Sequence, residues 1–434
     1  MPVSTAYHAR QEDEVYFYSE PLLFLGIDRL MKRVLNALLF SFLLSLLCST
    51  LNAASFRYGL DVLDDDACAF LEGSRVGLIT NKAGISSAGE SNYRLFLRHG
   101  VDLRFLMAPE HGFNVDVAAG ATVRDSRTSG SLKVYSLYGS SKKPDRNLLN
   151  TIDILIFDLQ DIGTRCYTYI STMFYAMEAA EDAGIRFMVL DRPNPIAPVP
   201  ADGFQLDPDC RSFVGIVPVP FIHAMTVGEL ALWMKKHFFS SLRLDVIRMK
   251  GYDRHLFADE LHGFRFISPS PNIGSVETAL VYPATVFLEA TNISEGRGTD
   301  QPFRQFGAVF IDSGALKRAL DDFRLPGVRF TAVSFRPSAS KYKGLACSGV
   351  RLDVTDRMVF EPFRTGVALL VALHTLYPGL LDLESHGEFF DKLAGTPLLR
   401  RMLLTGCSLE EILAASRLQV HEFEEANPQR FIYP

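Results

Sequence analysis

Four short apolar runs in the first half of the chain each end in a cluster of polar residues. They are Arg75-Val-Gly-Leu-Ile-Thr-Asn81, Leu103-Arg-Phe-Leu-Met-Ala-Pro-Glu-His-Gly112, Ile152-Asp-Ile-Leu-Ile-Phe-Asp-Leu-Gln-Asp161 and Ile185-Arg-Phe-Met-Val-Leu-Asp-Arg-Pro-Asn194. Nearly continuous apolar runs that alternate with helical segments read as parallel strands buried on both faces, and so as an α/β fold. In an open α/β sheet, ligands bind outside the carboxyl ends of the strands. Here those ends carry Asn81, Glu110, His111, Asp158, Gln160, Asp161, Asp191, Arg192 and Asn194. Such groups are costly near a core without partners. Their convergence on one edge is read as an active-site crevice.

The 434 residues suffice for two domains, each with its own core. Helices are expected over 93–99, 144–150 and 169–183, the last closed by Gly184. A long polar loop joins Glu110 to Tyr138, and loops of that length are usually functional. The Pro-rich stretch 193–220 breaks the alternation and marks the expected domain border. Beyond it, Thr226-Val-Gly-Glu229 fits a capping box opening a helix over 230–238. A strand over 244–249 and an extended loop over 267–274 follow. Strands at Phe310, 330–335 and 350–355 surround a helix over 315–323, and 363–377 is a further helix. Without strict alternation, this second part is α+β.

Residues 1–30 have no folded character and are expected to be a non-native or disordered extension, with translation starting at Met31. Residues 31–54 have the basic start, apolar run and small-residue end of a signal peptide, implying a periplasmic or secreted protein. The apolar run is short for a membrane span, so membrane contact is expected only through an uncleaved signal segment. After that segment remain Cys68, Cys166, Cys210, Cys347 and Cys407, an odd set with irregular spacing. Buried or free thiols are expected, with one or two bridges as the alternative.

A net charge of -6 with no Lys/Arg stripe argues against nucleic acid. Hydrophobic content of 48% and charged content of 22% are globular values. No Gly-x-Gly-x-x-Gly follows the first strand, which argues against a nucleotide, and no Walker loop, Gly-x-Ser-x-Gly elbow or His-Glu-x-x-His helix is present. Glu110, His111, Asp158 and Asp161 could jointly hold a divalent metal, but no compact spacing demands one, and neither metal nor cofactor is expected.

Four segments carry candidate chemistry. In Ala108-Pro-Glu-His-Gly-Phe113, Pro109 stops the strand and Gly112 permits a sharp turn, projecting Glu110 and His111. An apolar wall such as Phe113 would favour the protonated form of Glu110, as a general acid needs. The alternative is a pair that caps the next helix. Alternation puts Asp158 and Gln160 on one side of their strand, with Asp161, Arg165, Tyr167 and Tyr169 following. Carboxylates, an Arg and tyrosines so close together suit a sugar site; the alternative is an Asp–Arg salt bridge fixing the loop. Asp191-Arg-Pro-Asn-Pro195 offers Arg192 and Asn194 as ligand contacts, or else a rigid turn. Ser294-Glu-Gly-Arg-Gly-Thr299 frees the backbone around Glu295 and Arg297, presenting both charges to a ligand. His223 and Tyr282-Pro283 are secondary contacts at most.

Thr80-Asn-Lys-Ala-Gly84, Ala108-Pro-Glu-His-Gly-Phe113, Phe157-Asp-Leu-Gln-Asp-Ile-Gly-Thr-Arg165, Asp191-Arg-Pro-Asn-Pro195, Met225-Thr-Val-Gly-Glu-Leu230 and Ser294-Glu-Gly-Arg-Gly-Thr299 occur in that order. Together they resemble the bacterial exo-β-N-acetylmuramidases of the NamZ type, over roughly residues 57–434. The resemblance implies a Rossmann-like domain, set at 57–205, and an α+β auxiliary domain, set at 206–434, with the active site in the cleft between them. It implies release of terminal N-acetylmuramic acid (MurNAc) from the non-reducing ends of peptidoglycan fragments such as MurNAc–GlcNAc, in cell-wall turnover or recycling. It also implies Glu110 as the catalytic carboxylate.

Asp158, Asp161 and Glu295 remain open as the second carboxylate. Arg165 or Arg297 would meet the lactyl carboxylate of muramic acid, where a guanidinium fork fits. Asn81, His111, Gln160, Tyr167, Tyr169, Arg192 and Asn194 complete the expected substrate contacts. Two other readings stand beside this one: a metal-dependent ester or phosphoester hydrolase, and a non-catalytic periplasmic sugar-binding protein.

Overall fold

The chain's computed structural model describes residues 31–41 and 55–434, apart from Ser131. The expected extension over 1–30 and most of the expected signal segment lie outside the described residues. Residues 31–41 are helical and belong to a unit separate from 55–434. Among the described residues no helix is long and apolar enough to cross a membrane.

Six strands run parallel, the central ones mostly apolar and buried. β1 (Arg75–Thr80), β2 (Asp102–Ala108), β4 (Lys133–Ser136), β5 (Ile154–Asp158), β6 (Arg186–Leu190) and β7 (Arg243–Ile247) stand in the order β4-β2-β1-β5-β6-β7. β3 (Ser126–Arg127) adds an antiparallel edge to β4. β5 is buried at every position, as a strand covered on both faces should be. The chain leaves β1 toward β2 and later returns to its other side as β5, so the strand order reverses at β1. Carboxyl ends flanking such a reversal form a crevice.

Several elements differ from expectation. The long loop after Glu110 contains β3 and β4, whose short exposed stretches give little apolar signal. The strand beyond the Pro-rich stretch, assigned by sequence to the auxiliary part, pairs with β6 as the parallel edge strand β7. Phe310 lies just past a strand, β8 (Gln305–Ala308), which joins β9 (Val328–Phe335) and β10 (Cys347–Val354) in a three-stranded antiparallel sheet. Helices form close to where periodicity puts them, over Tyr169–Ala183, Val227–Phe238, Ser313–Asp322 and Pro362–Leu376. Thr226 accepts from the Glu229 amide and Gly184 ends its helix at φ 68°, the capping the sequence implies. One apolar cluster, from Ile79 to Phe423, runs through both parts, and a second runs from Phe56 to Leu261. The cysteines among the described residues are free, and four are buried.

Arg165 ties the parts together. It is fully buried and meets no carboxylate: Nη1 donates to the carbonyls of Phe204 (2.6 Å) and Val219 (2.9 Å), and Nη2 to that of Ala394 (2.6 Å). Burial pulls its pKa down to about 10. Its head fits only because residue 395 is glycine, at φ 80°; a Cβ there would overlap Nη2. Arg165 is therefore a clamp between the loop after β5, the Pro-rich stretch and helix Gly387–Ala394, and not the ligand for a substrate carboxylate. Replacing it leaves three buried carbonyls unpaired, each costing about 1–3 kcal/mol. Arg165→Leu is expected to lower unfolding free energy by about 3 kcal/mol or more, read from urea denaturation.

Candidate active site

A pocket of about 770 Å³ opens beyond the carboxyl ends of β2 and β5. Its walls come from both parts: Glu110, His111, Gly120, Tyr138 and Thr168 on one side, and Tyr282, Glu289, Glu295, Arg297 and Phe303 on the other. Residues 270–273, in the extended loop the sequence indicates, close one edge.

β2 ends at Ala108, and Pro109 turns the chain so that His111 and Gly112 take φ of 72° and 75°. Left-handed backbone at a non-glycine residue is uncommon and here sits beside the candidate acid. Glu110 is 6% exposed. Its Oε1 accepts from the Gly120 amide (2.7 Å) and its Oε2 from the Thr168 hydroxyl (2.7 Å). The Tyr138 hydroxyl also bonds to it, and burial together with the Glu110 charge pushes that phenol up to about 12. Phe113, expected as an apolar wall for Glu110, packs its ring edge-on against Tyr93 at 5.8 Å instead.

His111 Nδ1 lies 2.9 Å from the Val117 carbonyl, an acceptor, so Nδ1 carries the proton and Nε2 is the open acceptor. Burial holds the imidazole below its ordinary pKa, with Arg297 adding to the effect and Glu110 opposing it.

On the far wall, Glu295 Oε1 lies 3.1 Å from Arg297 Nε and its Oε2 3.0 Å from Lys341 Nζ. Arg297 Nη2 reaches Glu289 Oε1 at 2.6 Å, and its guanidinium stands 5.0 Å from the Phe303 ring centre. Burial raises the Glu289 carboxyl above its ordinary range, with Arg297 opposing. Lys341 spends its remaining donors on the Leu288 and Ile293 carbonyls. Among the described residues Arg297 Nη1 makes no such contact.

Of the residues singled out in sequence, Glu110, His111, Tyr167, Glu295 and Arg297, with Tyr282 from the secondary contacts, line this pocket. The others serve the scaffold. Asp158 is fully buried and takes Arg192 through both oxygens, at 2.5 and 3.1 Å, plus Asn92 at 2.7 Å. Arg192 is spent on that pair, on the Ile85 carbonyl and on the Tyr58 ring face. The Asp–Arg salt-bridge alternative thus holds, with Arg192 rather than Arg165 as partner. Asp161 Oδ2 accepts from the Gly163 amide (2.7 Å) and His223 Nε2 (3.2 Å), while Gln160 bonds the Asp161 and Pro193 carbonyls. Asn194 bonds the Met225 carbonyl and the Ile196 amide, as a rigid turn requires. Asn81 and Tyr169 bond each other (3.0 Å), and Tyr169 donates to the Pro269 carbonyl, which holds the 270–273 edge.

The family models described as "Exo-beta-N-acetylmuramidase NamZ, N-terminal" and "C-terminal" match residues 76–277 and 280–433. The chain belongs to the exo-β-N-acetylmuramidase NamZ family. It is 45% identical over 379 residues to the peptidoglycan β-N-acetylmuramidase NamZ of Bacillus subtilis (strain 168), covering 86% of this chain and 91% of that one. Crystal structures of two DUF1343 family proteins from Bacteroides fragilis share the fold. One has a TM-score of 0.80 at 32% identity, covering 87% of this chain and 99% of that one. The other has 0.70 at 26%, covering 88% and 99%. Both NamZ segments contribute walls to the pocket, which therefore lies in the cleft between them.

Sequence reasoning missed Thr168, Tyr138, Glu289 and Lys341. Thr168 sits between two residues that were singled out, at the register that opens helix Tyr169–Ala183, and its proximity to Tyr167 was the available signal. Glu289 and Lys341 carry no local signal, because only tertiary packing brings them to Arg297.

The lowered His111 pKa has a consequence for stability. Below about pH 6.5 the unfolded imidazole binds a proton that the folded one resists, so stability falls as pH falls through that range. Between pH 7.5 and 5.5, wild type is expected to lose more unfolding free energy than His111→Gln, measured by denaturant titration at both pH values.

Proposed function

We propose that this NamZ-family chain is a glycoside hydrolase that releases terminal MurNAc from the non-reducing ends of peptidoglycan fragments, with Glu110 as the catalytic acid. What carries this reading is that Glu110 and Glu295, alone among the four candidate carboxylates, line one sugar-sized pocket. Two-carboxylate glycosidases flank the scissile bond in this way. Glu110 delivers a proton to the glycosidic oxygen as the bond to C1 breaks, and the Glu295 carboxylate faces the positive charge that develops on the ring. His111 Nε2 accepts a hydroxyl proton from the sugar or from the incoming water. Arg297 Nη1 meets the lactyl carboxylate, which selects muramic acid over glucosamine.

The basic start, apolar run and small-residue end of residues 31–54 support export, which brings such an enzyme to the cell wall. Among the described residues no three His, Cys, Asp or Glu side chains gather as metal ligands do. The sugar-binding reading predicts capture of muropeptide without turnover.

Glu110→Gln is expected to reduce turnover of a chromogenic β-MurNAc glycoside by about 10²–10⁴-fold, the usual contribution of a positioned acid. A rate near that of the parent would remove Glu110 from the mechanism.

A further inference from the structure

Among the residues lining the pocket, Tyr282 and Phe303 are 7% and 1% exposed, whereas Phe389 is 38% exposed. Glu110 and its partner Tyr138 lie along the wall. An exo-acting glycosidase encloses its terminal sugar, and its proton donor must stand at the glycosidic oxygen. Whatever lies past Glu110 from that sugar therefore faces the leaving group.

An aromatic platform adjoins Tyr138, whose hydroxyl bonds Glu110. The half-buried Tyr138 ring stands 5.5 Å from Phe213, and Phe213 stacks on Tyr175 at 6.1 Å with planes 9° apart. Val214, beside Phe213 in the chain, lines the pocket. Lys142 Nζ sits over this platform, 5.0 Å from the Tyr138 ring centre and 4.1 Å from that of Phe213. The neighbouring Lys143 takes the nearby carboxylates, Glu178 and Asp182. Lys142 has no carboxylate partner among the described residues. An exposed cation parked on aromatic faces keeps most of its hydration and is free to meet an anion.

We propose that Tyr138, Phe213 and Lys142 form a second subsite, on the leaving-group side of the scissile bond, which binds the glycan beyond the terminal sugar. The aromatic faces take the C–H face of a sugar ring, and Lys142 takes a carboxylate carried by that part of the substrate. This rests on the glycosidase reading above. The carboxylate is either the lactyl group of the next muramic acid or a group on a stem peptide attached there; the chemistry recognised is the same.

The test compares kcat/KM for MurNAc–GlcNAc, for the peptide-free tetrasaccharide of two such units, and for that tetrasaccharide bearing a peptide on its inner muramic acid. Wild type is expected to favour at least one longer substrate over the disaccharide. Preference for the peptide-free form identifies the lactyl group, and preference for the peptide-bearing form alone identifies the peptide. Lys142→Gln should reduce that preference by roughly fivefold, the size of an exposed charge contact. Raised salt should erode it in wild type but not in the variant. Phe213→Ala should reduce it at either salt concentration. Disaccharide turnover with equal preference in wild type and Lys142→Gln would overturn the subsite alone. Absence of disaccharide turnover by wild type would overturn the glycosidase reading and the subsite with it.

Discussion

The pocket exists because one arginine is buried without a counter-charge. Moving a guanidinium out of water costs several kcal/mol unless its donors are met. Arg165 offsets this cost with three backbone carbonyls drawn from two distant stretches of chain, while its buried Nε stays without a partner. Each is short and charge-assisted, and so stronger than an amide bond of the same length. Residues 166–168, which follow immediately, line the pocket. Fixing Arg165 therefore fixes the Thr168 hydroxyl against Glu110 and the Tyr167 ring against Tyr282, 6.4 Å between centres. The wall of the site is a by-product of the clamp.

The same logic separates the carboxylates. Asp158 is held by a bidentate guanidinium and an amide at zero exposure, away from the pocket lining. Glu110 is held by a backbone amide and by hydroxyls, neutral donors that fix its position while leaving lone pairs toward the cavity. The Gly120 amide comes from the loop after β2, and the Val117 carbonyl that sets the His111 tautomer comes from the same loop. One loop thus orients both members of the Glu110–His111 pair.

The α/β class was legible because buried parallel strands must be largely apolar, and β5 and β6 are, apart from Asp158 and Arg186 at their ends. β3 and β4 were not, since half-exposed strands of two and four residues carry no periodic signal. β7 was misplaced because the Pro-rich stretch resembles a border, although the chain returns to the same sheet after it. In the candidate site, residue types pointed to the strand ends but could not distinguish scaffold from pocket. Asp158 and Glu110 stand at equivalent strand ends, and only their partners differ. Arg192, which neutralises Asp158, was itself read as a ligand, because a contact between β5 and β6 ends is invisible in one dimension.

That distinction follows from charge balance. The far wall brings together Glu289, Glu295, Arg297 and Lys341, two carboxylates with two cations. Lys341 is saturated by two carbonyls and one carboxylate, so it cannot turn to a substrate without stranding the Leu288 and Ile293 carbonyls. Arg297 makes its two ion pairs through Nε and Nη2, leaving the third nitrogen of its fork uncommitted. An incoming anion would thus add to the Arg297 pairs without breaking them. A neutral sugar in the same position would leave that donor competing for water in a closing pocket, and discrimination against ligands that leave a site's own polar groups unpaired is the strongest a binding site can exert.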